Sequence, residues 1–271
     1  MLLELEAIYG ALESEEQVRH ALRSLYLLYH ELRPVSSDYS YVVETSVFEK
    51  HLDLFRAVRE ASGASLWPEI TFDDGHISNF EYAMPILQSR SIIAQFFITV
   101  GWTGQKAGYM GWQELRELHR SGQVIGAHGW THTLLTHCRK NELDDELSRA
   151  RLTLEDKLGT SITTMSLPGG RYTQRILAAC KDAGYTQVYT SVPRAEQVPP
   201  GSIIGRLNIR GDMKLDWLAS VLASESKVLS NLGKQYQVKA AAQRLLGDSL
   251  YGKLWSLVNR QEPDRDAGAP E

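Results

Sequence analysis

Two aspartates stand side by side at the end of a short apolar run in "EITFDDGHIS" (69–78), followed by a glycine and a histidine. Adjacent carboxylates repel each other; a turn after a strand would account for Asp73 and Asp74, and so would a cation that offsets the repulsion. A second stretch, "GAHGWTH" (126–132), supplies His128 and His132, four residues apart. Two histidines and one carboxylate are a common zinc set that leaves positions open for water and substrate. In such a site one aspartate ligates the cation. Its neighbour is then free to take a proton from a water whose pKa the cation lowers to about 7. The four-residue spacing puts both histidines on one face of a helix; Gly129 makes a tight loop an equal alternative. His132 and His137 form a second, five-apart pair. Two further polar groups belong to the same inventory, "LPGGRY" (167–172) and His30 at the end of "LYLLYH". Each of these alone has an ordinary explanation as a turn or a satisfied histidine, and His76, His119 and His137 are read that way.

These residues fall where one kind of fold would collect them. "LYLLYHEL" (25–32) reads as a buried strand, and a helix over 45–63 follows it with Val47, Leu52, Leu54, Phe55 and Val58 on one stripe. Strands at 69–72, 91–100, 123–127 and 162–167 alternate with helices at about 79–90, 111–122, 141–158 and 173–184. A strand in "TQVYTSV", a loop over 192–202, a strand over 203–209 and a helix over 214–224 complete the series. Such alternation predicts parallel strands covered by helices, an α/β fold. In that class functional residues gather at the carboxyl ends of the strands. Asp73, Asp74, His128, His132, His30 and "LPGGRY" all follow strands. Helical segments over 2–24 and 227–259 flank this core, and "QEPDRDAGAPE" reads as a frayed tail. Neither a repeat nor a linker divides the 271 residues, so we expect one domain over 1–260 with a disordered tail over 261–271.

The bulk properties exclude several classes. A net charge of -4 speaks against a nucleic-acid surface, and no run of about 18 apolar residues could span a membrane. The first residues lack a basic region of the kind that opens a signal peptide, and two cysteines make no disulfide framework. The cytoplasm is the default compartment; the oligomeric state is left open.

In order, "TFDDG", "GAHGWTH" and "LPGGRY" resemble the first three motifs of the polysaccharide deacetylase family (the NodB-homology domain, carbohydrate esterase family 4). The text between them, "AQFFITVGWTG" and "MGWQELRELHRSGQVIGAHGWTH", resembles the family's strand–helix–strand stretch, and the likeness runs over about 25–225. The resemblance implies a distorted (β/α) barrel of about seven parallel strands, and metal-dependent removal of N-acetyl groups from N-acetylhexosamine units of a polysaccharide or glycoconjugate. By the resemblance Asp73 is the general base and Asp74, His128 and His132 hold one divalent metal, with Zn²⁺ the expected ion. The Gly169 amide donates to the oxyanion, and Tyr172 lines the groove.

Two departures stand out. The family's third motif carries an arginine two residues before its proline, to hold the base; here that position is Ser166, with Arg171 as a substitute. The family's usual acid is a histidine near the C-terminal end, and none follows His137. "YHE", followed by "FEKHLDLF", resembles the poly-β-1,6-N-acetylglucosamine deacetylases, in which an early histidine takes the acid's place; this assigns the acid to His30. Asp216-Trp217 is a faint match to the fourth motif. Trp102, Tyr109, Trp130 and Tyr172 offer faces on which sugar rings could stack. Two other functions fit the same motifs, a sugar-binding protein that has lost catalysis and a metal-dependent amidase acting on a small non-sugar substrate.

Overall fold

The computed structural model describes residues 22–61, 66–223 and 227–239. In chain order the elements are β1 (Arg23–Tyr29), β2 (Glu31–Arg33), β3 (Val42–Glu44), α1 (Thr45–Glu60), β4 (Leu66–Phe72), a π turn (Asn79–Ala83) leading into α2 (Met84–Ser89), and β5 (Gln95–Ile98). Then follow α3 (Trp112–Arg120), β6 (Val124–Ala127), α4 (Lys140–Asp144), a second π turn (Asp145–Arg149), α5 (Ala150–Leu158), β7 (Thr164–Ser166) and α6 (Gln174–Asp182). The series ends with β8 (Gln187–Tyr189), β9 (Glu196–Gln197), β10 (Ile203–Ile204), β11 (Arg206–Asn208) and α7 (Leu215–Leu222). Residues 227–239 are helical.

The main sheet runs β10-β8-β7-β6-β5-β4-β1-β11, parallel throughout, with β9 antiparallel to β1. Its two edge strands are separated in sequence by Gly205 alone, so the chain itself crosses the seam and nearly closes a barrel. A Cβ on Gly205 would lie 2.4 Å from both the Val192 carbonyl oxygen and Arg194 Cγ, which leaves room for no other residue at the crossing. β1 is buried almost throughout, as a parallel strand covered on both faces must be. The larger core lies between strands and helices, where Phe48, Leu52 and Phe55 of α1 and Leu115 and Leu118 of α3 point inward. A smaller apolar cluster of Phe97, Tyr189 and Ile204, with Tyr26 against it, belongs to β5, β8, β10 and β1.

The expected (β/α) barrel is therefore present, with three adjustments. The strand expected over 25–32 ends at Tyr29, so His30 sits at its carboxyl end; the strand begins at Arg23, which the sequence pattern had placed in a helix. The single strand expected over 203–209 is two strands with different partners, because the chain changes edges at Gly205. The strand expected over 91–100 is only Gln95–Ile98. The expected helix before residue 22, the part of the C-terminal helix beyond 239, and the tail over 261–271 lie outside the described residues. Among the described residues no helix is long and apolar enough to cross a membrane.

One buried group ties stability to acidity. His51 faces the core from α1 with no exposure, and its Nδ1 lies 3.0 Å from the Tyr29 hydroxyl. Burial lowers its pKa from 6.5 to about 4. The unfolded chain therefore takes up this proton first, and the neutral form's advantage, complete above pH 6.5, is lost as the pH falls towards 4. We expect urea unfolding to show a loss on the order of 3 kcal/mol across that window from this group, and His51→Gln to lack that component of the slope. An equal slope in the variant would place the acid sensitivity elsewhere.

Candidate active site

Neighbouring registers bring the motif residues to one rim. Tyr29 pairs with Phe72 across β1 and β4, so His30 and Asp73 leave adjacent strand ends together, and the Asp73 amide donates to the Tyr29 carbonyl (3.0 Å). Ile98 pairs with Ala127, and Ala127 with Met165, which brings the starts of the 128–132 and 167–172 loops alongside.

Three donor atoms converge there. Asp74 Oδ1 lies 3.2 Å from His128 Nε2 and 3.3 Å from His132 Nε2. That oxygen is buried and accepts no hydrogen bond among the described residues. His128 Nδ1 lies 2.8 Å from the Ser166 carbonyl, so a proton on Nδ1 has an acceptor and the Nε2 lone pair faces Asp74. Three lone-pair donors with a buried oxygen left unsatisfied are what a divalent cation completes, and the set fits one. Burial pushes the Asp74 carboxyl upward, but the His128 and His132 imidazoles outweigh it and hold the group well below the usual carboxylate range. Burial equally disfavours charge on His128, and the Asp73 and Asp74 carboxylates overcome it and raise its pKa.

Asp73 has a different set of partners. Arg206, with no exposure, grips it with two parallel bonds, Nη1 to Oδ1 at 2.7 Å and Nη2 to Oδ2 at 2.8 Å. The Ser166 hydroxyl donates to Asp73 Oδ2 (2.9 Å) and accepts from Arg206 Nη2 (2.7 Å). The remaining guanidinium donors reach the Thr190 carbonyl and the Thr71 hydroxyl. Burial opposes ionisation of Asp73; the guanidinium outweighs it and lowers the carboxyl. Where Ser166 replaces the expected arginine, Arg206, the first residue of β11, holds the Asp73 carboxylate. The sequence did carry a trace of this in "IIGRLNI", a charge inside an apolar strand.

His30 packs its ring on Tyr41 (centroids 4.7 Å apart) within electrostatic reach of Asp73, Asp74, Arg206 and His128. Burial lowers its pKa against the pull of Asp74 and Asp73. Its Nδ1 is buried with no partner among the described residues. The segment after the aspartates holds it in place: buried Asn79 donates to the His30 carbonyl (2.7 Å), and the Ser78 hydroxyl accepts from the Leu32 amide (3.1 Å).

Gly169 lies in a turn at φ +65 beside Leu134, and Tyr172 packs on the core at the same loop. Trp102 stacks near His132 (5.1 Å) and Tyr109 (4.6 Å), while Trp130 carries the Arg149 guanidinium 3.8 Å from its ring centre. His137 is exposed, and the cluster of donors contains His132 with Asp74 and His128 rather than with His137. Asp216 is exposed on α7, away from this set of contacts.

The ion pair can be tested as a unit. Arg206→Met strands a buried carboxylate and should cost about 3–5 kcal/mol in urea unfolding. Adding Asp73→Asn should recover most of that loss. A double variant no more stable than Arg206→Met would show that the guanidinium matters for some other reason.

Residues 68–188 match the family model described as polysaccharide deacetylase. The chain is 27% identical over 126 residues to YxkH of Bacillus subtilis (strain 168), a stretch covering 46% of this chain and 45% of that protein; the match thus spans less than half of that curated relative. Among solved structures, IcaB from Ammonifex degensii is 26% identical with a TM-score of 0.62, over 74% of this chain and 96% of that one. The Streptococcus pyogenes deacetylase PplD superposes with a TM-score of 0.65 at 19% identity, over 74% of this chain and 98% of that one, which shows a shared fold. The matched stretch, which is similar to polysaccharide deacetylases, contains all three sequence motifs that meet at the barrel rim.

Proposed function

We propose that this protein hydrolyses the acetamide of N-acetylhexosamine units in a polysaccharide or glycoconjugate, and that it does so with a divalent metal. The observation that carries this reading is the meeting of Asp74 Oδ1, His128 Nε2 and His132 Nε2 beside a second, ionised carboxylate, within the stretch that matches the family. Asp74, His128 and His132 would hold the cation, zinc being well suited to this donor set, and it would supply a Lewis acid for the amide carbonyl and lower the pKa of a water.

Asp73 accepts a proton from that water. A carboxylate held low by Arg206 is a weak base, which matches it to an acidified water rather than to bulk solvent. The Gly169 amide donates to the oxygen on which negative charge develops. His30 delivers a proton from Nε2 to the departing amine, and its lowered pKa makes the imidazolium a stronger donor.

Metal content measured by mass spectrometry, on protein purified without chelator, should be near one ion per chain and should fall in Asp74→Ala and His128→Ala. Asp73→Asn and His30→Ala should keep the metal but release acetate from N-acetylglucosamine oligomers about 10²- to 10⁴-fold more slowly. No metal even after zinc is supplied would remove the hydrolase reading. Full activity in His30→Ala would transfer the acid's role to another group.

A further inference from the structure

The two metal-facing histidines are held in different ways. His128 is oriented through its own ring, by the Ser166 carbonyl at Nδ1. For His132 no hydrogen bond among the described residues fixes the imidazole, and its backbone is left-handed at φ +65. Asp74 Oδ1 (3.3 Å) and the Trp102 ring (5.1 Å) lie against the imidazole, and the loop that carries it sets where the ring starts from.

The loop is held by a carboxylate that the proposed chemistry does not use. Glu146, 4% exposed, comes from the π turn Asp145–Arg149, a helix irregularity often found at functional sites. Its Oε2 accepts the Trp130 amide (2.8 Å), both its oxygens accept the Thr131 amide (3.1 Å each), and Oε1 accepts the Thr131 hydroxyl. A Cβ on Gly129, which sits at φ +79, would lie 2.8 Å from Glu146 Oε2, so the glycine is what lets the carboxylate approach. From the same π turn Arg149 covers the Trp130 ring. On the other side the Gly129 and Trp130 carbonyls accept from Val100 and Gly101, so the loop is clamped between two elements.

We propose that Glu146 is a positioning residue that sets the metal affinity of the site by fixing the backbone that aims His132. This rests on the metal reading above. A carboxylate suits the two amides and the hydroxyl that donate to it; a glutamine would turn an NH₂ towards the Thr131 N–H, which now reaches both oxygens. Outer partners of metal ligands typically cost about 10- to 100-fold in affinity when removed.

The test is zinc affinity by competition with a chelating dye, on the full chain, alongside thermal melting of the zinc-free protein. Glu146→Gln should weaken zinc binding 10- to 100-fold, and acetate release should return towards the parent rate when zinc is raised. Thr131→Val, which removes only the hydroxyl contact, should weaken zinc binding a few-fold and serves alone should Glu146→Gln fail to fold. Because Glu146 acts through His132, adding Glu146→Gln to His132→Ala should leave the remaining zinc affinity within about two-fold. Unchanged zinc affinity in Glu146→Gln and Thr131→Val, or a second full loss in the double variant, would overturn the proposal while leaving the metal site standing. A parent protein that binds no zinc would instead remove the metal reading and this proposal together.

Discussion

The buried pair of Arg206 and Asp73 is the constraint on which the rest of this structure turns. Arg206 begins the strand that follows the one-residue crossing at Gly205, so its side chain enters the barrel only if the seam is closed. It then meets a carboxylate 133 positions earlier in the chain. Desolvating both charges is expensive, and the pair is tolerable because the guanidinium also finds Thr71, Ser166 and Thr190. Ser166 extends the network: its hydroxyl joins the pair, and its carbonyl faces the His128 imidazole. Barrel closure, the charge on Asp73 and the orientation of one donor histidine are thereby a single linked arrangement.

This linkage explains why some of the site could be read from sequence and some could not. Asp73, Asp74, His128 and His132 are legible because chemistry fixes their types and spacing over a few residues. The (β/α) architecture is legible because parallel strands buried on both faces leave apolar runs such as "LYLLY". Arg206 escaped because its partner is set by strand order rather than by local spacing. The helix rule for a pair four apart also allowed a reading that Gly129 overrides: residues 128–132 are a loop, and the convergence of both rings on Asp74 is a tertiary event. Glu146 sits in a charged helix where its type carries no distinguishing mark. Only the approach of the loop shows what it does.

The stretch over 73–79 does two jobs at once. Asp73 and Asp74 face the site, and the following residues turn back to hold the opposite wall, through Asn79 to the His30 carbonyl and Ser78 to the Leu32 amide. Asp73, Asp74 and the support of the His30 segment thus share seven consecutive residues. A change in the trajectory of this loop moves them together, which keeps the distances among these groups less variable than separate loops would.

Asp74 and His132 both adopt left-handed backbone, at φ 73 and 65. Glycine occupies this conformation most readily; aspartate and histidine enter it more often than other side chains do, at a smaller cost than a bulky or β-branched residue would meet. A lineage released from the need for these two side chains would therefore have a standing thermodynamic reason to replace them, and replacements at these two positions would come early. Their retention in a given descendant is thus a record of continued use, legible in its sequence without any assay.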